Sequence, residues 1–482
     1  GPGWRLPLLG HFPYLSKSKP FRQIDNWSKK FGDVMTIYFG MDPVIVISRY
    51  AAQREAFLSQ GANFAGRPSL FVHESCWGRG LVIRDLHGSN ILRSFLLSAI
   101  RQSSSHRGEF SVQSLVSRET DILVERLAQR IREAEDSPAH SGDGSAPFAS
   151  SAIEDDVFFV VGNVLQQLAF GRRHPHGSVE FKESAEWLKT TMELMERTAM
   201  ITFLPWMRWI PYFRYFNMKK KAAEVHAMML ADVEGRRKTG EYRDESKMDL
   251  VSIFMRKNEG EEKDEEESES ELFTESMLVM VMTELFFAAI QTECNTFGWA
   301  FLFLSTHPEI QEYTREHIWN AVGREGEITQ DTRASLPFLE AVIAETQRSS
   351  NIAPFSMFHQ NREEAVVGGY RIPANSIIMM NLFSTLTDPE NFPDPEEFRP
   401  GRFMSEDGSS LCAAKLRLSV PYGVGPRICM GEAIARCELF TVIGRLLQRF
   451  RFSLIEGENY SLEKEMVLTI HPKPYRLRIQ FA

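Results

Sequence analysis

About 300 of the 482 residues, from 51 to 350, repeat apolar side chains at helical spacing, as in TDILVERLAQRIREAE from Thr120. A chain weighted this way is not a β-sandwich or barrel; most of its core must be helix against helix. Before this stretch, residues 34–49 (VMTIYFGMDPVIVISR) read as two β-rich runs around a Gly/Asp/Pro turn, a hairpin pattern. After about 365 come short β runs (GYRIP, SIIMMNL), a Pro-rich irregular stretch (DPENFPDPEEFRPGRF), one more helix after Cys429 and terminal β-like runs. With no evident linker or fixed-period repeat, the expected fold is mainly α with small β-sheets (α+β), one large unit over 1–482. Two low-complexity segments, 134–152 and 259–271, are too polar to bury and are expected to be mobile loops.

The net charge of −9 conceals two opposite clusters. Residues 259–271 (EGEEKDEEESESE) hold nine acids and one lysine, −8, and read as a solvated face. Residues 415–451 hold seven Lys/Arg against Glu432 and Glu438, +5. The mildly acidic total argues against nucleic-acid binding, which needs a basic field. Five cysteines are too few for a disulfide scaffold, and none forms a CxxC or zinc-like pair. The opening GPGWRLPLLGHFPYL lacks a methionine, is too broken by Pro and Gly to span a bilayer, and reads as the remainder after an upstream segment was cut away.

The most informative segment is PYGVGPRICMGEAIARCELF, 421–440. Gly423, Gly425 and Gly431 surround Cys429, and a helical pattern follows. A cysteine on a Gly-rich loop before a helix N-terminus lies near backbone N–H donors that stabilise a thiolate and lower its pKa. Glycines admit a flat, bulky partner that a Cβ would exclude, and Arg427 offers a fork for an anion. Together these features suit a haem held axially through sulfur. Cys76, Cys294, Cys412 and Cys437 read as small buried hydrophobes.

The loop resembles the F-x-x-G-x-R-x-C-x-G pattern of the cytochrome P-450 family, its animal microsomal branch in particular, with Tyr422 in place of the usual Phe. The resemblance covers essentially the whole chain and implies a haem-thiolate monooxygenase with haem b ligated by Cys429. Two further motifs occur in the expected order. In EAVIAETQR, Glu345 and Arg348 match the family's buried E-x-x-R pair, and FRPGRF supplies Arg402 to complete the network, with Gly401 in place of the usual Glu. By the same resemblance, Arg427, His359 and Arg93 would hold the haem propionates. The Trp that the family places four residues before that last arginine is absent.

The stretch TELFFAAIQTECNTFGWAF, 283–301, aligns with the family's oxygen-activating A-G-x-[D/E]-T helix but reads Ala288, Ala289, Ile290, Gln291, Thr292. Thr292 keeps the hydroxyl that would relay protons; Gln291 replaces the acid and cannot ionise. Glu293 follows, but one residue turns a helix by about 100°, so it is not expected to face the same way. The resemblance puts Phe286, Ala288, Ala289, Ile352, Ala353, Phe355, Val467 and Leu468 around an apolar substrate pocket, implying a hydrophobic small molecule such as a steroid, fatty acid, terpenoid or foreign compound. It also implies an NADPH-dependent flavoprotein reductase docking on a basic face (Lys415, Arg417, Arg436, Arg445, Arg449), and a place on the cytosolic face of the endoplasmic reticulum membrane. The aromatic run FLPWMRWIPYFRYF, 203–216, fits packing beneath helices and a membrane-dipping patch about equally. Two rivals remain at this stage: an oxygen-independent isomerase or dehydratase acting on peroxides, and a haem binder without turnover.

Overall fold

The computed structural model describes residues 1–105, 111–135, 148–260 and 271–482. Its α-helices of seven residues or more, in chain order, are α1 Pro20–Phe31, α2 Phe71–Trp77, α3 Leu86–Ser105, α4 Val112–Glu135, α5 Ile153–Phe170 and α6 Val179–Thr198. They continue with α7 Tyr215–Thr239, α8 Leu250–Gly260, α9 Glu275–Thr306, α10 Pro308–Val322, α11 Pro337–Ser350 and α12 Glu432–Arg449. The fold is mainly α with small sheets, as the helical spacing requires.

Helix α9 is the axis of the molecule. The Thr274 side chain accepts the Met277 N–H at 3.2 Å and so caps its first turn. From there it is apolar on nearly every face, and such a helix must be surrounded. It packs against α5 and α7 on its flanks and reaches α11, α10 and α12. It is also the one described helix long and apolar enough to cross a membrane, yet Phe297, Trp299, Ala300, Phe301 and Leu302 are fully buried in the core.

The expected hairpin forms from β1 Val34–Phe39 and β2 Asp42–Ser48, paired from Val34↔Ile47 to Phe39↔Asp42. β2 then pairs in parallel with β7 Ile377–Asn381, which pairs antiparallel with β4 His359–Gln360, giving the order β1-β2-β7-β4. β3 Ala149–Ser151, β8 Phe450–Leu454 and β11 Leu477–Phe481 make a second sheet in the order β3-β11-β8. Two short ribbons, β5 Ala365–Val367 with β6 Tyr370–Ile372 and β9 Glu465–Met466 with β10 Ile470–His471, complete the set.

Both expected loops have wider borders than the structure allows. Ala149–Ser151 is a strand, because β11 offers it an open edge, and Glu135 and Gly260 end helices. The remainder, 136–147 and 261–270, lies outside the described residues.

Candidate haem and substrate site

The Cys429 loop is built on two glycines with positive φ. Gly423 (+78°) and Gly425 (+85°) adopt left-handed backbone, and a Cβ on Gly425 would stand 2.1 Å from the Phe57 carbonyl oxygen. The turn closes when the Cys429 N–H donates to the Tyr422 carbonyl at 3.0 Å, and α12 starts three residues later. Cys429 is solvent-accessible, yet enough protein surrounds it for burial to raise its thiol pKa. The helix-terminus effect foreseen from sequence operates through the Gly431 N–H, but desolvation outweighs it, so the free thiol is raised rather than lowered.

Two further groups face this region. Tyr422 directs its hydroxyl to Gln347, whose Nε2 donates at 2.6 Å, and the Arg436 guanidinium lies 5.4 Å from its ring centre. Glu293 turns away from Thr292, as its position one residue along the helix requires. Burial pushes its carboxyl up to about 8, and Glu438 is raised with it. Glu293 Oε2 has no hydrogen-bond partner among the described residues.

Beside the cysteine loop lies a half-buried cluster of three arginines with the buried His359. Arg427 donates to the Ala65 carbonyl (2.8 Å), the Arg84 carbonyl (2.6 Å) and the Ser89 hydroxyl. Arg67 donates to the carbonyls of Val82 (3.1 Å), Met357 (3.1 Å) and Phe358 (2.6 Å). His359 Nδ1 meets the Phe64 carbonyl at 2.8 Å, which leaves Nε2 free. Burial and then the neighbouring guanidiniums lower Arg67 to about 9 and Arg427 to about 10, Asp85 opposing the shift of Arg427. Arg93 is lowered by burial, and His359 falls well below its usual value from burial and Arg67. No carboxylate pairs with any of the four among the described residues. Partly desolvated guanidiniums without an ion-pair partner are costly, and two propionates would satisfy them.

Arg67 and Ser89 were not singled out from sequence. Ser89 stands four residues before Arg93, where the family places Trp, and its hydroxyl holds Arg427. An isolated arginine or serine carries no sequence pattern by which to find it.

On α9, the turn around Ala288 is left uncovered by neighbouring elements. Beyond the first turn of the helix Ala288 is its only exposed residue, and Ala289, Gln291 and Thr292 are half-buried beside it. The Thr292 hydroxyl donates back to the Ala288 carbonyl at 2.6 Å. Gln291 Nε2 donates to Asn295 Oδ1 (2.8 Å), and Asn295 Nδ2 to the Thr469 hydroxyl (2.9 Å), tying this turn to the C-terminal tail. The Ile470 N–H donates to the Ile352 carbonyl at 2.7 Å, bringing the chain after α11 beside the tail turn. Ile352, Ala353, Phe355 and Leu468 are half-buried there, and Val467 is exposed. Phe286 is a correction: it is buried and packs on Phe170 of α5, with ring centres 5.6 Å apart. On a helix, 284, 287–288 and 291–292 share one face, and 286 belongs to the opposite one.

The E-x-x-R network forms as expected. Arg348 donates twice to Glu345 (2.7 and 2.8 Å), and Arg402 Nε and the Arg399 N–H reach the same carboxylate at 3.0 and 2.9 Å. Both Glu345 and Arg348 are fully buried. Gly401 leaves open space, so nothing there takes the place of the family's Glu.

The basic face is weaker than the count of +5 suggests. Arg436 pairs with Glu432 (2.9 Å), Arg445 with Asp121, Arg449 with Glu325 (4.0 Å) and Arg451 with Glu312 (2.9 Å). Lys415 donates to the Asn391 carbonyl, so only Arg417 of the five docking candidates is exposed without a partner among the described residues. The partners come from α4, α10 and the turn after α10, invisible to a count made along one segment.

An accessible cysteine on a glycine turn before a helix, a cluster of arginines beside it and a buried Glu–Arg–Arg brace are the features of a haem-thiolate oxidoreductase. The cytochrome P450 family model matches residues 1–479, and the chain belongs to that family, whose members are monooxygenases. It is 28% identical to human cytochrome P450 1A2 over 97% of this chain and 88% of that protein. It is 28% identical to mouse cytochrome P450 2J5 (98% and 89%) and 25% identical to the steroid 17-alpha-hydroxylase/17,20 lyase of Ictalurus punctatus (98% and 89%).

Proposed function

We propose that Cys429 ligates a haem b whose propionates occupy the Arg67–Arg93–Arg427–His359 cluster, and that the enzyme oxygenates a hydrophobic small molecule lying against Ala288. The observation that carries this reading is the accessible Cys429 on the same loop as Arg427, which clusters with Arg67, Arg93 and the neutral His359, none of them in an ion pair with a carboxylate among the described residues. When bound, the haem supplies dioxygen activation, with thiolate donation favouring O–O cleavage. The chain's own part is to exclude water and deliver protons. Thr292 holds a hydroxyl beside Ala288, and Gln291, fixed by Asn295, orients solvent without ionising. His359 gives its Nδ1 proton to the Phe64 carbonyl, so a propionate at Nε2 would draw a second proton onto the ring. The peroxide-dependent alternative is not favoured by family membership.

The test is NADPH-driven turnover with a flavoprotein reductase, using labelled dioxygen and a steroid and fatty-acid panel. One labelled oxygen atom in the product supports the proposal; turnover with peroxides alone, or none with haem bound, rejects it. The role of Arg67 has its own readout. Arg67→Gln removes charge-assisted bonding worth about 1.5–3 kcal/mol, so haem transfer to apomyoglobin should accelerate about tenfold or more. Arg67→Lys should recover part of the loss, and an unchanged transfer rate would exclude Arg67 from propionate binding.

The run 203–216 does both: Leu204 and Tyr215 are buried, whereas Trp206, Trp209, Tyr212 and Phe216 are exposed. Phe203 anchors it to the N-terminal face by packing on Phe39 at 5.1 Å and Phe12 at 6.4 Å. Trp4, Leu6, Leu8 and Met41 are exposed on that neighbouring chain. We assign this joint face to the cytosolic surface of the endoplasmic reticulum membrane, from which apolar substrates would enter. Flotation with phosphatidylcholine vesicles should fall several-fold in a Trp206→Ser, Trp209→Ser double variant; undiminished flotation would place the contact elsewhere.

A further inference from the structure

The cysteine turn is anchored at two points. At one, Arg427 fixes the chain just before Cys429 through the carbonyls of Ala65 and Arg84 and the Ser89 hydroxyl. At the other stands Tyr422, whose carbonyl accepts the Cys429 N–H at 3.0 Å and so closes the turn. Between them the backbone runs through Gly423 and Gly425, both left-handed, which contribute no side chain to hold it. Val424 adds an apolar contact but no directed bond. The place of the Tyr422 carbonyl therefore rests on what holds the Tyr422 side chain.

Three helices reach that side chain. From α11, Gln347 Nε2 donates to the Tyr422 hydroxyl at 2.6 Å. From α12 comes the Arg436 guanidinium, 5.4 Å from the ring centre and itself fixed by Glu432 at 2.9 Å. Burial, and then the nearby Glu293 of α9, raise the phenol pKa, so the hydroxyl stays protonated. Gln347 is buried on the helix that carries the Glu345–Arg348 pair, so the brace sets its position in turn. With the family's usual Phe at 422, the Gln347 N–H would lose this acceptor, and a buried donor without one is costly.

We propose that Gln347 and the Tyr422 hydroxyl are positioning residues that hold the Cys429 sulfur where it ligates iron. The inference rests on the haem-thiolate reading, and both residues act through Cys429. The bond runs from the braced helix to the phenol, and the carbonyl of that same residue holds the cysteine N–H. The tie needs both partners: a Phe at 422 has no oxygen, and an apolar residue at 347 has no donor. Groups that orient a metal ligand from behind lengthen the life of the ligated state, and a glycine turn gains more from a directed bond than a packed segment does.

The experiment uses the haem-loaded protein, reduced and under carbon monoxide, in urea below the unfolding transition. Loss of the red-shifted thiolate band is timed by absorbance, and circular dichroism follows the fold in the same samples. Tyr422→Phe and Gln347→Leu should each lose the band about 5–10-fold faster than the native protein while the helical signal stays native. The double variant should lose it no faster than the single variants, because both substitutions remove the same bond. Unchanged lifetimes in the single variants overturn the tie. So do effects that multiply in the double variant, which would make the two residues independent. Band loss that always accompanies loss of helix also overturns it, reducing the pair to general packing. A native protein without the shifted band rejects the haem-thiolate reading and the tie with it; a native band with multiplying effects rejects the tie alone.

Discussion

Glu345→Gln should leave a protein that is barely folded. The Glu345 carboxylate accepts from Arg348 twice, from Arg402 and from the Arg399 backbone N–H, in a place with no access to water. Glutamine keeps the shape but removes the charge, and its amide group presents N–H donors where two guanidiniums already donate. Removing one member of a buried ionic network costs about 3–5 kcal/mol, because the remaining charges stay desolvated. Against a total stability of roughly 5–15 kcal/mol, that is a large share. The denaturant midpoint should fall sharply and soluble yield with it. A stability within about 1 kcal/mol of native would show that shape, not charge compensation, holds this corner together. Arg402→Lys should be milder, since it retains the charge and loses the bonds to the Pro393, Asp394 and Glu397 carbonyls.

Cys429→Ser should abolish function while sparing the fold. The loop's closing bond runs from the residue 429 backbone N–H to the Tyr422 carbonyl, which serine preserves, and Cys429 belongs to none of the hydrophobic clusters. Serine cannot supply a thiolate, and a hydroxyl is a poor ligand for haem iron at neutral pH. The reduced carbon-monoxide complex should lose the red-shifted band that thiolate ligation gives, and reductase-driven turnover should fall below detection. Circular dichroism should remain native. A variant that kept the shifted band would move the ligand to another cysteine. Cys76, Cys294 and Cys437 are buried in the hydrophobic core, with thiols raised by burial, so Cys412 would be the one to examine.

How legible each part was depended on the range of its causes. The cysteine loop and the E-x-x-R pair could be read because their geometry is local: positive-φ glycines, a helix start, and two side chains one turn apart. Helix α9 could be aligned, but its facing could not be assigned residue by residue. Phe286 shows why: apolar on both faces, the helix offers no polar stripe to orient it, and only packing against Phe170 reveals which way the ring turns. The basic segment shows a different limit. Charges counted along 415–451 are neutralised by Asp121, Glu312 and Glu325, which no count within the segment includes.

By itself the sequence determined a mainly helical chain with small sheets, which follows from residue spacing that the chain carries whether folded or not. The Cys429 loop and the Glu345–Arg348–Arg402 set were legible through their resemblance to the family's motifs. Tertiary structure alone decided that Arg67 joins the arginine cluster and that the face around Trp209 is open to solvent. Each of these depends on residues far apart in the chain meeting or failing to meet. Desolvation, the term that shifts Arg67, His359 and Glu293, arises only once those distant residues close around them.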